Sequence, residues 1–275
     1  MEKLNFQDIF DKIEKNQTMV HCITNYVTIN DVANIILATG ASPIMADDWM
    51  EVCEITSMCD SLVLNIGTLK QNTVKAMLLA GKKANELGHK IIFDPVGVGA
   101  STFRKDSAMK LLDEIKFSVI RGNISEIKTL YEGSKTSYGV DAKKDDAMTK
   151  DNIDDVIDMA RNLANTTKAV VVITGKTDLI TDGNQVYLVK NGVPDMSRIT
   201  GCGCMLDGVI AGFVGANKEQ VLEATAAAVC AMGICGEYAK EKSQGTGSFK
   251  MHLMDAMSHM NAKWMERSNK IESRC

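Results

Sequence analysis

A chain of 275 residues, 45% hydrophobic and 24% charged, has the make-up of a globular protein with room for a large core. Its formal net charge of −4, with no block of Lys and Arg, excludes the basic cluster expected of a nucleic-acid surface. The first residues lack the apolar core of a signal peptide, and no uninterrupted apolar run reaches the roughly 18 residues that span a bilayer, so a cytoplasmic protein with no membrane segment is expected.

In chain order, short apolar runs alternate with longer helical patterns. Residues 19–24 read as a strand, 27–39 as a helix with Val27, Val32, Ile35, Ile36 and Ala38 on one face, and 42–45 and 61–66 as further strands. A helix over 71–87 ends at Gly88, a C-cap glycine. Strands at 91–95 and 118–121 follow, then a helix near 151–165 and a strand at 169–174. Continuously apolar strands joined by helical crossovers belong to a parallel sheet covered on both faces, which makes the fold class α/β. Residues 179–181 and 185–189 flank Asp182-Gly183-Asn184 and read as a hairpin, so the sheet is mixed, with an antiparallel edge. From residue 204 onward three helices are expected, over 205–216, 218–240 and 248–264. No Pro-rich linker and no repeat divides the chain, so 1–275 reads as one domain.

The eight cysteines include no Cys-x-x-Cys pair, and Cys202 and Cys204 have no neighbouring His to complete a zinc set. Cys22, Cys53, Cys59, Cys230 and Cys235 lie among apolar or small residues and read as packing.

Ligands of open α/β sheets bind outside the carboxyl ends of the strands. The sharpest signal there is Thr200-Gly201-Cys202-Gly203-Cys204, which leads directly into an apolar helix. Glycines let backbone approach a ligand, and the first amides of a helix point at it, so the loop suits phosphoryl oxygens. A tight connection without any ligand is the plain alternative. At a helix N-terminus the dipole is expected to lower the pKa of Cys204, making it a candidate general base. A covalent nucleophile would want a His partner, and the four histidines offer none at a suggestive spacing. The Walker pattern is absent, and Gly97-Val98-Gly99 lacks the third glycine of a dinucleotide fingerprint. Asn123 and Glu126 fit a helix cap; with Asp94, Glu126 also fits a Mg²⁺ site beside nucleotide phosphates. Arg121 fits a phosphate partner.

These motifs together resemble the hydroxyethylthiazole kinase family of ribokinase-like enzymes. The resemblance rests on His21 to Thr28, Ala33-Asn34, Gly40 to Ala46, Asn65 to Leu69, Asp94 to Gly97, Arg121 to Glu126, Ile173 to Gly175 and Arg198 to Gly201. It implies a three-layer αβα sandwich that phosphorylates 4-methyl-5-(2-hydroxyethyl)thiazole with ATP and Mg²⁺ in thiamine salvage. It further implies a homotrimer with active sites between subunits. By position, Cys204 matches the catalytic cysteine. Met45, Gly201, Asn25, Val27 and Gly67 fall in the thiazole-binding segments, Arg121, Thr174 and Asn123 in the ATP-binding ones, and Asp94 and Glu126 match the metal acids. Another small alcohol, such as a hydroxymethylpyrimidine, and a non-catalytic thiazole-binding protein are the alternatives. The chain departs from the family pattern at Cys202, where Thr is usual, and at Thr246, often Pro.

Overall fold

The computed structural model describes residues 4–134, 148–149 and 152–274. Met1, Asp151 and Cys275 lie outside the described residues. Six strands run parallel: β1 (Met19–Ile23), β2 (Ser42–Ile44), β3 (Ser61–Asn65), β4 (Lys90–Asp94), β5 (Val119–Asn123) and β6 (Val170–Thr174). Three more, β7 (Asp178–Thr181), β8 (Val186–Val189) and β9 (Ile271–Arg274), extend the sheet antiparallel, giving the order β2-β1-β3-β4-β5-β6-β7-β8-β9.

Helices cover both faces. Alternation along each strand divides the core: Val170 and Val172 of β6 face one layer, Val171 and Ile173 the other. The first layer holds α1 (Phe6–Asn16), α2 (Ile29–Ala38), α8 (Cys202–Ala216), α9 (Val221–Lys242), α10 (Thr246–Ser258) and α11 (Ala262–Ser268). The second holds α3 (Val52–Met58), α4 (Gln71–Leu87), α5 (Thr102–Glu114), α6 (Ile124–Ser134) and α7 (Ile153–Thr167). Every residue of β3 is buried, which is why the strand is apolar through most of its length rather than alternating. Among the described residues, α9 alone is long and apolar enough to cross a membrane, and most of it is buried inside the protein.

Element boundaries differ from those expected at identifiable places. The helix expected from residue 27 starts at Ile29, because Asn25 captures the chain first: its Oδ1 accepts from Val27 N at 2.9 Å and its carbonyl from Thr28 N at 3.0 Å. The helix expected over 248–264 is two helices, since Asn261 Oδ1 accepts from Trp264 N at 3.0 Å and caps a new start. The helix expected from 205 begins at Cys202, placing both loop cysteines in its first turn. β9 adds a third antiparallel strand to the expected hairpin.

Cysteine burial has a consequence for stability. Burial pushes the Cys59 thiol up to about 11 and that of Cys230 up to about 12, from an ordinary value of 9.0. An unfolded chain ionises these thiols near pH 9, whereas the folded one holds them neutral, so their contribution is complete below pH 9 and is lost as pH rises through 11 to 12. A tenfold change in a thiol's acidity is worth about 1.4 kcal/mol. The urea midpoint is therefore expected to stay level between pH 7 and 8.5 and to fall steeply above 9; a level midpoint to pH 11 would contradict this.

Candidate active site

Side chains from β3, β4 and β5 and from the first two turns of α8 converge on one buried polar cluster. Asn65 ends β3 and pairs in register with Asp94, which ends β4. The Asn65 amide donates to Asp94 Oδ2 at 2.7 Å, to Asp207 Oδ2 at 3.1 Å and to Cys204 Sγ at 3.4 Å. Its Oδ1 accepts from Gly67 N at 2.9 Å, which fixes the orientation of the amide. Asp94, Cys204 and Asp207 offer ligand atoms all within 4.8 Å of one another.

Arg121 crosses beneath this group. Its Nε donates to Asp207 Oδ1 at 2.9 Å, and Nη2 lies 3.3 Å from Asp94 Oδ2. Asp207 and Asp94 are fully buried and Arg121 is nearly so, which makes this a buried ion-pair network rather than a surface bridge. Arg121 was expected to end its strand; β5 instead runs on to Asn123, so the guanidinium is threaded under α8 rather than left at the rim. Gly203 makes that passage possible, since a Cβ there would collide with the Arg121 guanidinium.

Electrostatics reverse one expectation. The helix dipole alone predicts an acidic Cys204; instead the thiol is pushed up to about 11, by burial first and then by Asp207 and Asp94, against the lowering effects of Thr28 and Arg121. Burial also raises Asp94 well above the ordinary carboxylate range; Asp207 raises it further and Arg121 opposes. Cys202 is raised to about 12, again chiefly by burial.

Gly201 adopts φ +84°, and the amides of the first turn of α8 have no carbonyl one turn earlier to bond. A Cβ on Gly201 would sit 2.5 Å from Thr28 Cγ2, so the glycine also admits the α2 N-cap residue. Gly201→Ala is expected to cost about 1–2 kcal/mol from backbone alone, lowering Tm by about 2–4 °C in a thermal melt. An unchanged Tm would contradict the close approach.

The remaining candidates are held by contacts of their own. Glu126 Oε1 accepts from Gly97 N and Oε2 from Asn123 N, both at 2.8 Å, while Asn123 Oδ1 accepts from Glu126 N at 2.9 Å. The reciprocal cap thus also tethers the turn after β4. Thr174, in register with Asn123, donates through its hydroxyl to Gly122 O at 3.3 Å. Gly67 packs under Asn25, whose Nδ2 would lie 2.6 Å from a Cβ there. Met45 follows β2 and packs against the first core layer, and Val27 is 58% exposed beside α2. The segment at Met45 is held by buried His21. Because Ala46 O can only accept, His21 Nε2 donates to it at 2.8 Å and Nδ1 accepts from the Thr56 hydroxyl at 2.9 Å. Burial lowers the pKa of His21 and keeps the ring neutral.

Sequence reasoning missed Asn65 and Asp207 as site residues. Asp207 had a signal: it lies three residues after Cys204 in the same helix, on the same face.

Fit to a divalent cation rests on Asp94 and Glu126. Asp94 Oδ1 is buried with no hydrogen-bond partner, and carboxylate oxygens suit Mg²⁺. The Glu126 oxygens keep further lone pairs beyond the backbone bonds they accept. The residues present fit the ion.

Residues 10–263 match the model of the hydroxyethylthiazole kinase family. A hydroxyethylthiazole kinase of Clostridium acetobutylicum is 50% identical over 266 residues, covering 96% of this chain and 97% of that protein. The solved hydroxyethylthiazole kinase of Pyrococcus horikoshii superposes with a TM-score of 0.88 at 31% identity, covering 98% of this chain and 99% of its own. A ribokinase-like superfamily protein of Enterococcus faecalis shares the fold, with a TM-score of 0.61 at 15% identity over 94% of this chain and 98% of that one. The fold is ribokinase-like, and the chain belongs to the hydroxyethylthiazole kinase family.

Proposed function

We propose that this enzyme transfers the γ-phosphoryl group of ATP to the hydroxyl of 4-methyl-5-(2-hydroxyethyl)thiazole. The observation that carries the reading is the convergence of Cys204, Asn65, Asp94, Arg121 and Asp207 beneath a glycine loop that opens a helix. The thiazole alcohol lies near Asn25, Val27, Met45, Gly67 and Gly201, and the nucleotide near Arg121, Asn123 and Thr174. Asp94 and Glu126 would hold Mg²⁺, which when bound neutralises charge on the phosphoryl oxygens.

In the transfer, the alcohol oxygen bonds to the γ-phosphorus as the bond to ADP breaks, and the hydroxyl proton passes to the Cys204 sulfur. With a thiol near 11, only a small fraction of Cys204 is thiolate at neutral pH in the ligand-free protein. That suits a loose transition state, in which the nucleophile needs little deprotonation and most of the work is positioning and charge stabilisation. The amides of the first turn of α8 supply the anion hole, with the helix dipole behind them.

The single nine-stranded sheet supports one domain over 1–275. Exposed Tyr26, Val27, Ile29 and Leu37 on and before α2, with Met251 on the neighbouring α10, support a homotrimer that buries this face beside the alcohol site. Among the described residues seven cysteines are unpaired, which supports a cytoplasmic setting.

The test is ADP release by the purified protein with Mg²⁺-ATP and, in parallel, hydroxyethylthiazole, a hydroxymethylpyrimidine or ribose. The expected result is release dependent on the thiazole alcohol. A preference for another alcohol would transfer the reading to that substrate, and thiazole binding without release would make Cys202 the mark of a non-catalytic binder.

A further inference from the structure

We propose that Arg104, outside the cluster just described, is a positioning residue for phosphoryl transfer. It locks the turn on the alcohol side of the site to the turn on the metal side. The proposal rests on the kinase reading given above.

Two turns leave the sheet side by side. One follows β3 and carries Ile66 and Gly67; the other follows β4 and carries Pro95, Val96 and Gly97. Backbone pairing between them ends early: Ile66 N donates to Asp94 O at 3.1 Å, and beyond it the two chains diverge. Three carbonyls are left facing the gap. Arg104 fills it: Nη1 donates to Ile66 O at 2.7 Å and to Val96 O at 2.6 Å, and Nη2 donates to Gly67 O at 2.7 Å. A guanidinium presents its donors in a rigid planar fork, so one side chain fixes both turns and their separation; an ammonium is a point donor and cannot.

The position of Arg104 is itself built. It lies in the first turn of α5, where Ser101 Oγ accepts from its N–H at 3.3 Å and caps the helix. The entering 3-10 turn is anchored by fully buried Val98.

Each turn then reaches a different reactant. On one side Gly67 N donates to Asn65 Oδ1, and Asn65 holds Cys204 and Asp94. On the other, Gly97, whose φ of +64° redirects the chain, donates through its N–H to Glu126 Oε1 at 2.8 Å. The guanidinium therefore sets the distance between the alcohol pocket and the metal acid without touching either reactant. Misplacement of about 1 Å at a reacting centre can cost about 10²-fold in rate.

The experiment measures kcat and both KM values for wild type, Arg104→Lys and Arg104→Ala, each with and without millimolar ethylguanidine. Arg104→Ala is expected to lose about 10²-fold in kcat/KM for the alcohol, with KM for ATP changed by no more than about twofold. Ethylguanidine should restore part of that loss, and Arg104→Lys should fall between. Unchanged kcat/KM in Arg104→Ala would overturn the proposal, as would equal rises in both KM values without rescue. If Arg104→Ala does not fold, the same split in Arg104→Lys decides. Inactive wild type would refute the kinase reading itself, which separates the two failures.

Discussion

Asp207→Ala is expected to cost about 3–5 kcal/mol of stability. Asp207 is fully buried and receives Arg121 Nε at 2.9 Å and Asn65 Nδ2 at 3.1 Å. Removing it leaves a buried guanidinium with Asp94 as its remaining carboxylate, at 3.3 Å and already short of hydrogen-bond geometry. A buried charge left with one poorly aligned partner costs more than the loss of the attraction alone, because burial keeps water from replacing the lost carboxylate. Asp207→Asn keeps the shape and an acceptor, so it should retain more stability than the alanine variant. Urea melts give the answer; a shift under about 1 kcal/mol for Asp207→Ala would show that Arg121 re-pairs freely. Turnover should fall with stability, since the Arg121 and Asn65 bonds that Asp207 anchors also hold Asp94 and Cys204.

Cys204→Ala is the substitution expected to separate chemistry from folding. The sulfur makes weak hydrogen bonds with Asn65, at 3.4 Å, and with Thr28, and a small side chain is tolerated at the start of α8, so stability should change little. Turnover should fall about 10²-fold, the low end of what a general base contributes, because a loose phosphoryl-transfer state makes limited use of a base. The pH profile carries the sharper information. With the thiol near 11, the wild-type rate should climb through the alkaline range as thiolate accumulates, until the protein itself unfolds. The alanine variant should show no such climb. Equal slopes in the two proteins would remove Cys204 from the proton path.

What the residues revealed and what they hid divides along physical lines. The strands were legible because both faces are buried: Leu62, Val63 and Leu64 run unbroken through β3, and Val170 to Ile173 through β6, so burial wrote itself directly into the composition. The glycine loop was legible because Gly201 at φ +84° and Gly203 in the first turn of α8 leave no room for a side chain. Boundaries shifted wherever a side chain competed for backbone, as Asn25 does before α2 and Asn261 before α11. The acidity of Cys204 was misread because a dipole argument uses local chain position alone. The two carboxylates that outweigh it come from β4 and from the next turn of α8, together with burial that only the folded chain supplies. Arg104 was invisible for the same reason: its partners are backbone carbonyls, which have no letter in a sequence.

The most direct measurement follows the terminal phosphate. Purified protein with γ-labelled ATP, Mg²⁺ and hydroxyethylthiazole should move the label onto the thiazole alcohol, and none should move when the alcohol is omitted. Label released only as inorganic phosphate, at the same rate with and without the alcohol, would contradict the assignment of the cluster at Cys204 as an alcohol-phosphorylating site.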